Sequence, residues 1–250
     1  MAARKRKQIV DLSFFDHLDE LRKKLIYIAI VVIFGTAVAF VFIQDILYFI
    51  TLPAKDMDLI YTTPAEAFMS QIRLSFITSI FATLPFTLYQ ILLFILPALR
   101  DTEKKALIPL VIFMILLFAG GVGFSYFVVF PYALHFFLGF ETEGLSPLFT
   151  ISAYISFAVT FMLAFGLVFQ IPLISWFLGR LGLVSSGFLR KNRKYAILII
   201  AIMASLITPP DIFSQILMVG PLILLYELGV NLVRYTERQR KKAERAEGNR

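Results

Sequence analysis

Residues 151–178 read ISAYISFAVTFMLAFGLVFQIPLISWFL and contain no lysine, arginine, aspartate or glutamate. A run of that length and character is long enough to cross the hydrocarbon core of a bilayer as a helix, which needs about 20 apolar residues. Long continuous runs indicate helices; barrel strands alternate over short segments. Working outward from this segment, five more apolar stretches appear. They are 25–43, 72–96, 106–136, 195–208 and 212–233. The expected fold is therefore an all-α integral membrane protein with six transmembrane helices. Residues 1–235 form one membrane domain, and 236–250, alternating Arg, Lys and Glu, form a solvated, flexible charged tail.

Composition points the same way. Of 250 residues, 59% are hydrophobic and only 16% charged, against about 45–50% and 25% in soluble domains. Mean hydropathy is +0.81. The formal net charge of +7 is informative through its distribution. Segments 1–24, 97–105, 179–194 and 234–250 hold 22 of the 24 lysines and arginines, leaving Lys55 and Arg73 for the opposite side. The positive-inside rule then places both termini in the cytoplasm, which requires an even number of spans. With no cysteine and only His17 and His135, a disulfide framework, a thiol nucleophile and a histidine-rich metal site are excluded.

The spans are unequal. Span 106–136 is about 46 Å long and span 195–208 about 21 Å at 1.5 Å per residue. The first must tilt or project from a core of about 30 Å, and the second cannot cross it undisturbed. Long tilted helices with a short hairpin predict a concave wall. Thr208-Pro209-Pro210-Asp211 is the hairpin turn, with Asp211 placed to cap the last span.

Four polar features stand out. Leu18, Leu21 and Leu25 give an amphipathic helix ahead of the first span; within it Glu20 either pairs with Lys24 at i+4 or offers its carboxylate to a cationic ligand. Phe94 precedes a short cytoplasmic loop in which Asp101 or Thr102 caps the third span and Glu103 suits its helix dipole. Gln170 sits beside Pro172, which strips the Val168 carbonyl of its helical donor; the amide either satisfies a freed carbonyl locally or serves a neighbour, and at that depth it faces protein or water. Thr208 and Gln215 form a polar patch near the outer ends of the last two spans, either bonding each other or open to a neighbour. Glu227, near the cytoplasmic end of the last span, snorkels or pairs with Arg234 or a basic loop.

Phosphate-loop, zinc-protease and nucleophile-elbow motifs are all missing from the sequence, as is an Asp-rich metal motif. No charge lies deep within a span, against a proton-coupled small-solute carrier. An intramembrane protease would need a nucleophile and base in one cavity, and His135 is the only histidine within a span. Nor does any feature call for nucleic acid, a cofactor or a metal.

An ordered set of blocks resembles the TatC family, the polytopic receptor subunit of the twin-arginine protein translocase. They are HLDELRKKL (17–25), TPAEAF (63–68), FILPAL with RDTEKK (94–105), FSYFVVFP (124–131), YISF (154–157), AFGLVFQIPL (164–173), RKYAILI (193–199), ITPPDIFSQ (207–215) and PLILLYELGV (221–230). The resemblance implies a receptor in a prokaryotic cytoplasmic membrane, not an enzyme. It implies binding of twin-arginine signal peptides of folded precursors and export driven by the proton-motive force. It further implies assembly with TatA/TatB-type single-span partners and self-association within the receptor complex. Carried onto this chain, the signal-binding positions are Glu20, Glu103 and Phe94. The partner-helix positions are Thr208 and Gln215, together with Gln170. Members of the family commonly have a glutamate where this chain has Gln170, so an ionisable role is not expected there.

Overall fold

The structure is a computed structural model and describes residues 14–55, 57–95, 107–139, 148–207 and 212–247. Helix α1 (Phe14–Val41) is followed directly by a short helix α2 (Ile43–Thr51) and a turn at Leu52–Ala54. A two-residue strand β1 (Leu59–Ile60) leads into α3 (Pro64–Ile95). Next come α4 (Leu107–Phe124), a π-helical turn at Ser125–Val129 and α5 (Phe130–Leu138), running as one rod. Strand β2 (Phe149–Thr150) pairs in parallel with β1, Leu59 opposite Phe149 and Ile60 opposite Thr150. Then come α6 (Ile151–Val168), α7 (Ile171–Arg180), α8 (Ser186–Lys191), α9 (Arg193–Ile207) and α10 (Ile212–Glu247).

Among the described residues, five helical stretches are long and apolar enough to span a membrane: Leu18–Val41, Pro64–Ile91, Pro109–Leu138, Ile151–Arg180 and Gln215–Arg240. The sixth expected span is α9, whose 15 residues extend about 22 Å. The last helix does not stop at residue 233; it continues through the basic segment to Glu247.

The helices form an open series. Among the described residues, helix α1 makes its substantial contacts with α3 and α2; α3 meets α6 and α4, α4 meets α6, α7 packs on α10, and α10 pairs with α9. Apolar side chains such as Ile33, Phe34 and Val41 stay exposed on α1, as expected of a helix whose outer faces meet lipid. Close approach between helices uses small residues, since lipid tails compete with large ones. Ser79 Oγ donates to Val32 O at 2.8 Å, beside Gly35, where a Cβ would lie 2.4 Å from that hydroxyl. At the α4–α6 crossing a Cβ on Gly121 would sit 2.5 Å from the Phe165 carbonyl oxygen. Gly179 faces Val233 and Gly229 faces Ser175 where α7 meets α10.

Proline explains the local irregularities. Pro131 has no N–H to give to Phe127, and the chain answers with the π turn, in which Phe130 N–H reaches back to Ser125 O. Pro172 similarly separates α6 from α7 at Phe169–Gln170. Pro64 opens α3, with Thr63 Oγ1 accepting from Glu66 N–H at 3.2 Å. Glu66 Oε2 accepts in return from Thr62 N–H and Oγ1 at 2.9 and 2.6 Å. The TPAE block is thus a capping arrangement with proline at the first helical position.

Helix α2 closes the end of the molecule opposite the start of α1. Ile43, Ile46, Leu47 and Ile50 form one stripe packed into a cluster with Leu74, Ile77, Phe130 and Tyr154. Two of its last carbonyls accept from distant tyrosines, Phe49 O in addition to the Leu52 N–H. Tyr126 Oη donates to Phe49 O at 2.5 Å and Tyr154 Oη to Ile50 O at 2.7 Å. Tyr154→Phe leaves the buried Ile50 carbonyl without a partner and is expected to cost about 1–2 kcal/mol. Thermal unfolding of the purified variant checks this, and an unchanged midpoint would assign that carbonyl another donor.

Candidate functional site

The antiparallel register of α1 and α3 fixes which ends meet. Val32 is bonded to Ser79, and Phe40 packs edge-on against Phe68 with centroids 6.4 Å apart. Extending that pairing by helical rise puts Glu20 level with the last turns of α3, where Phe94 lies half-buried. Two of the three expected signal-binding residues therefore share one end of the molecule. Glu103, the third, lies outside the described residues.

Glu20 is one-third exposed, and its Oε1 lies 3.1 Å from Lys24 Nζ. The i, i+4 pairing expected as one alternative is made. It does not close the other: one carboxylate oxygen, Oε1, meets Lys24, and a planar guanidinium competes for the carboxylate with two parallel N–H groups. Asp19 and Arg22 on the adjacent faces are exposed.

Gln170 lies deeper than a docking side chain would need, at 6% exposure. It occupies the break between α6 and α7, where its Nε2 donates to Met114 O on α4 at 3.0 Å and to Gly166 O at 3.5 Å. The amide thus bridges two helices instead of serving the Val168 carbonyl freed by Pro172. Its Oε1 is buried with no partner among the described residues. Both bonds need a donor, which an amide supplies and an ionised carboxylate does not.

At the other end of α9 and α10, half-buried Gln215 donates from Nε2 to Ala201 O at 3.2 Å. The hairpin is stitched by this side-chain-to-backbone bond. Below it Ala204, Met218 and Leu222 are fully enclosed. Thr208, Pro209, Pro210 and Asp211 lie outside the described residues, so a Thr208–Gln215 patch has only its second member here.

The opposite, basic end has polar contacts that single positions in the sequence do not reveal. Glu227 pairs with Arg193 at 2.5 Å, selecting the neighbouring-loop alternative over Arg234. Tyr226 Oη donates to Leu189 O at 2.8 Å. Glu237 accepts from Ser186 N–H at 2.9 Å and from the Ser186 hydroxyl. Ser185 caps the same short helix, accepting from Phe188 N–H at 3.1 Å. Three contacts spaced along α10 hold this loop. The spacing of Tyr226, Glu227 and Glu237 is the only signal for it, and it is legible only once the loop's position is known. Among the described residues no group of three His, Asp or Glu side chains could hold a metal ion.

This geometry has close counterparts. Residues 16–221 match the family described as TatC, Sec-independent protein translocase protein. The chain is 37% identical to the Sec-independent protein translocase protein TatC of Carboxydothermus hydrogenoformans over 94% of its own length and 98% of that relative. It is 40% identical to that of Desulforapulum autotrophicum over 87% of this chain and 82% of the relative. The crystal structure of a twin-arginine translocase receptor TatC superposes with a TM-score of 0.81 at 36% identity, covering 88% of this chain and 99% of that one. Matches across nearly the whole length in both sequence and fold carry one conclusion: the chain belongs to the TatC family of Sec-independent protein translocase proteins.

Proposed function

We propose that this chain is the signal-recognising core of a twin-arginine translocase. In this reading it has six spans with both termini in the cytoplasm, binds paired arginines at the α1–α3 end, and recruits single-span partners of the TatA/TatB type along its α9–α10 hairpin. The observation that carries the reading is Glu20: a one-third-exposed carboxylate, paired with Lys24 among the described residues, level with the end of α3. A guanidinium offers two parallel N–H groups to such a carboxylate, whereas an ammonium offers a point charge. Hydrogen bonds to charged groups are worth about 1.5–3 kcal/mol. Glu103, on the loop after α3, supplies the second carboxylate.

Topology is testable because the chain has no cysteine. With both termini inside, a cysteine at Lys55 is expected to react with a membrane-impermeant maleimide in spheroplasts, and one at Gly187 only after lysis. Equal reaction at both sites would overturn the six-span arrangement.

Partner docking rests on the hairpin, where Thr208 and Gln215 offer hydrogen-bonding groups beside a short helix. Gln170 contributes its Oε1, which has no partner among the described residues. A photocrosslinker at Gln215 is expected to give an adduct with a single-span partner. Gln170→Leu is expected to weaken that partner's binding while leaving thermal stability within about 1 kcal/mol, since Met114 O keeps its own helical donor. No adduct from Gln215 would remove the docking site, and intact export in Gln170→Leu would remove Gln170 from it.

A further inference from the structure

At the basic end of α7, α8, α9 and α10 the described residues carry an excess of positive charge. Segments 176–195 and 226–240 contain eight lysines and arginines but only two carboxylates. Both carboxylates are engaged, Glu227 with Arg193 and Glu237 with the start of α8. Arg190 and Lys191 at the end of α8 and Lys194 in the first turn of α9 are exposed on one short connection between α7 and the body of α9. That loop is held in place, because Tyr226, Glu227 and Glu237 of α10 all bond to it.

The same loop shows apolar groups. Leu183 is 71% and Phe188 61% exposed, although Leu189 beside them packs into the core. Arg180 lies 5.5 Å from the Trp176 ring centroid and Lys194 Nζ 5.1 Å from that of Tyr195. Fixed cations interleaved with exposed aromatic and aliphatic side chains, at the end of membrane-spanning helices, fit the headgroup region of a bilayer. Charge then selects the occupant: an anion with an acyl tail is attracted, and an arginine-bearing signal is repelled.

We infer that this face binds an anionic phospholipid, its phosphate held by Arg190, Lys191 and Lys194 and its upper acyl chain lying against Leu183 and Phe188. The site rests only on the membrane-embedded fold and is independent of signal recognition at Glu20.

The test reconstitutes the whole chain in phosphatidylcholine nanodiscs carrying a small share of photoactivatable phosphatidylglycerol, with adducts mapped by mass spectrometry. Adducts are expected to concentrate on residues 183–195 and to be competed by unlabelled phosphatidylglycerol but not by inorganic phosphate. Arg190→Gln with Lys191→Gln and Lys194→Gln is expected to lower their yield by about tenfold or more. Lys191→Arg, which keeps the charge, is expected to preserve it. On the unaltered chain, molar salt must lower the yield, which keeps the inference testable if the triple variant does not fold. Equal labelling by photoactivatable phosphatidylcholine, competition by inorganic phosphate, or salt-independent labelling would each overturn it.

Discussion

Glu103→Ala is expected to lower the affinity for a twin-arginine signal peptide about 10- to 150-fold, the range that loss of one charge-assisted contact implies. Glu20→Ala is expected to do the same. Glu244→Ala, in the helical extension beyond the last span, is expected to change nothing. Removing Glu20 also frees Lys24, which adds a repelling charge beside the site, so Glu20→Gln separates loss of the carboxylate from loss of its bulk. If each carboxylate holds a different arginine, the two effects add in the double variant; if both hold one arginine, the double variant falls short of the sum. Binding of a labelled signal peptide to the reconstituted chain measures the five variants against the wild type. Wild-type affinity in Glu20→Ala and Glu103→Ala would place recognition elsewhere.

The second large effect is structural. Gly121→Val is expected to destabilise the fold by about 3 kcal/mol or more, because overpacking at a tight contact is relieved only by moving backbone. The nearest atom to a Cβ there is the Phe165 carbonyl oxygen, at 2.5 Å, with the Phe169 ring at 2.9 Å. A side chain can rotate aside and a helix backbone cannot, so α4 and α6 must separate and the Gln170–Met114 bond across them must lengthen. Gly120 and Gly123 supply internal controls, since a Cβ at either meets nothing within 4 Å. Gly120→Ala and Gly123→Ala are expected to be neutral or to stabilise, since alanine favours helix by about 1 kcal/mol over glycine. Thermal unfolding of the three variants in one detergent makes the comparison, and equal midpoints for Gly121→Val and Gly120→Ala would contradict the close crossing.

How far the sequence reveals this fold depends on the range of the interaction. Residues 151–178 announce a spanning helix because length and hydropathy are local properties. The break at Gln170 is readable because Pro172 removes a specific donor four residues from a specific carbonyl. The Glu20–Lys24 pair follows from helical spacing alone. Helix α2 is less legible. Its stripe of Ile43, Ile46, Leu47 and Ile50 is present in the sequence, yet nine residues are too few to form a helix without tertiary support. That support comes from Tyr126 and Tyr154, which are 77 and 104 residues away from the carbonyls they bind. Such pairings depend on the arrangement of whole helices.

The candidate site divides along the same line. Glu20 and Phe94 stand out as single residues, but their meeting at one end follows from the α1–α3 register set by Ser79 and Gly35. Gln170 reads as a polar group at membrane depth. Its actual partner, Met114 O, lies 56 residues away on α4, where no local pattern points. The basic segment after Thr236 reads as solvated charge. Its continuation as helix, with Glu237 holding Ser186, depends on the loop that α10 happens to pass.

These contacts also suggest how the molecule divides its work. In the proposed reading, Glu20 at the α1–α3 end takes a cationic ligand, and the exposed cations of α8 and α9 take an anionic one. The two proposed sites use different helices, so a defect in one is expected to leave the other measurable.

The most direct test of the central claim places a photocrosslinker at Glu103 in native membranes and adds a folded precursor carrying either Arg-Arg or Lys-Lys in its signal. An adduct with Arg-Arg, absent with Lys-Lys, is the predicted result. No adduct with either precursor, or equal adducts with both, would contradict recognition of paired arginines at this end of the chain.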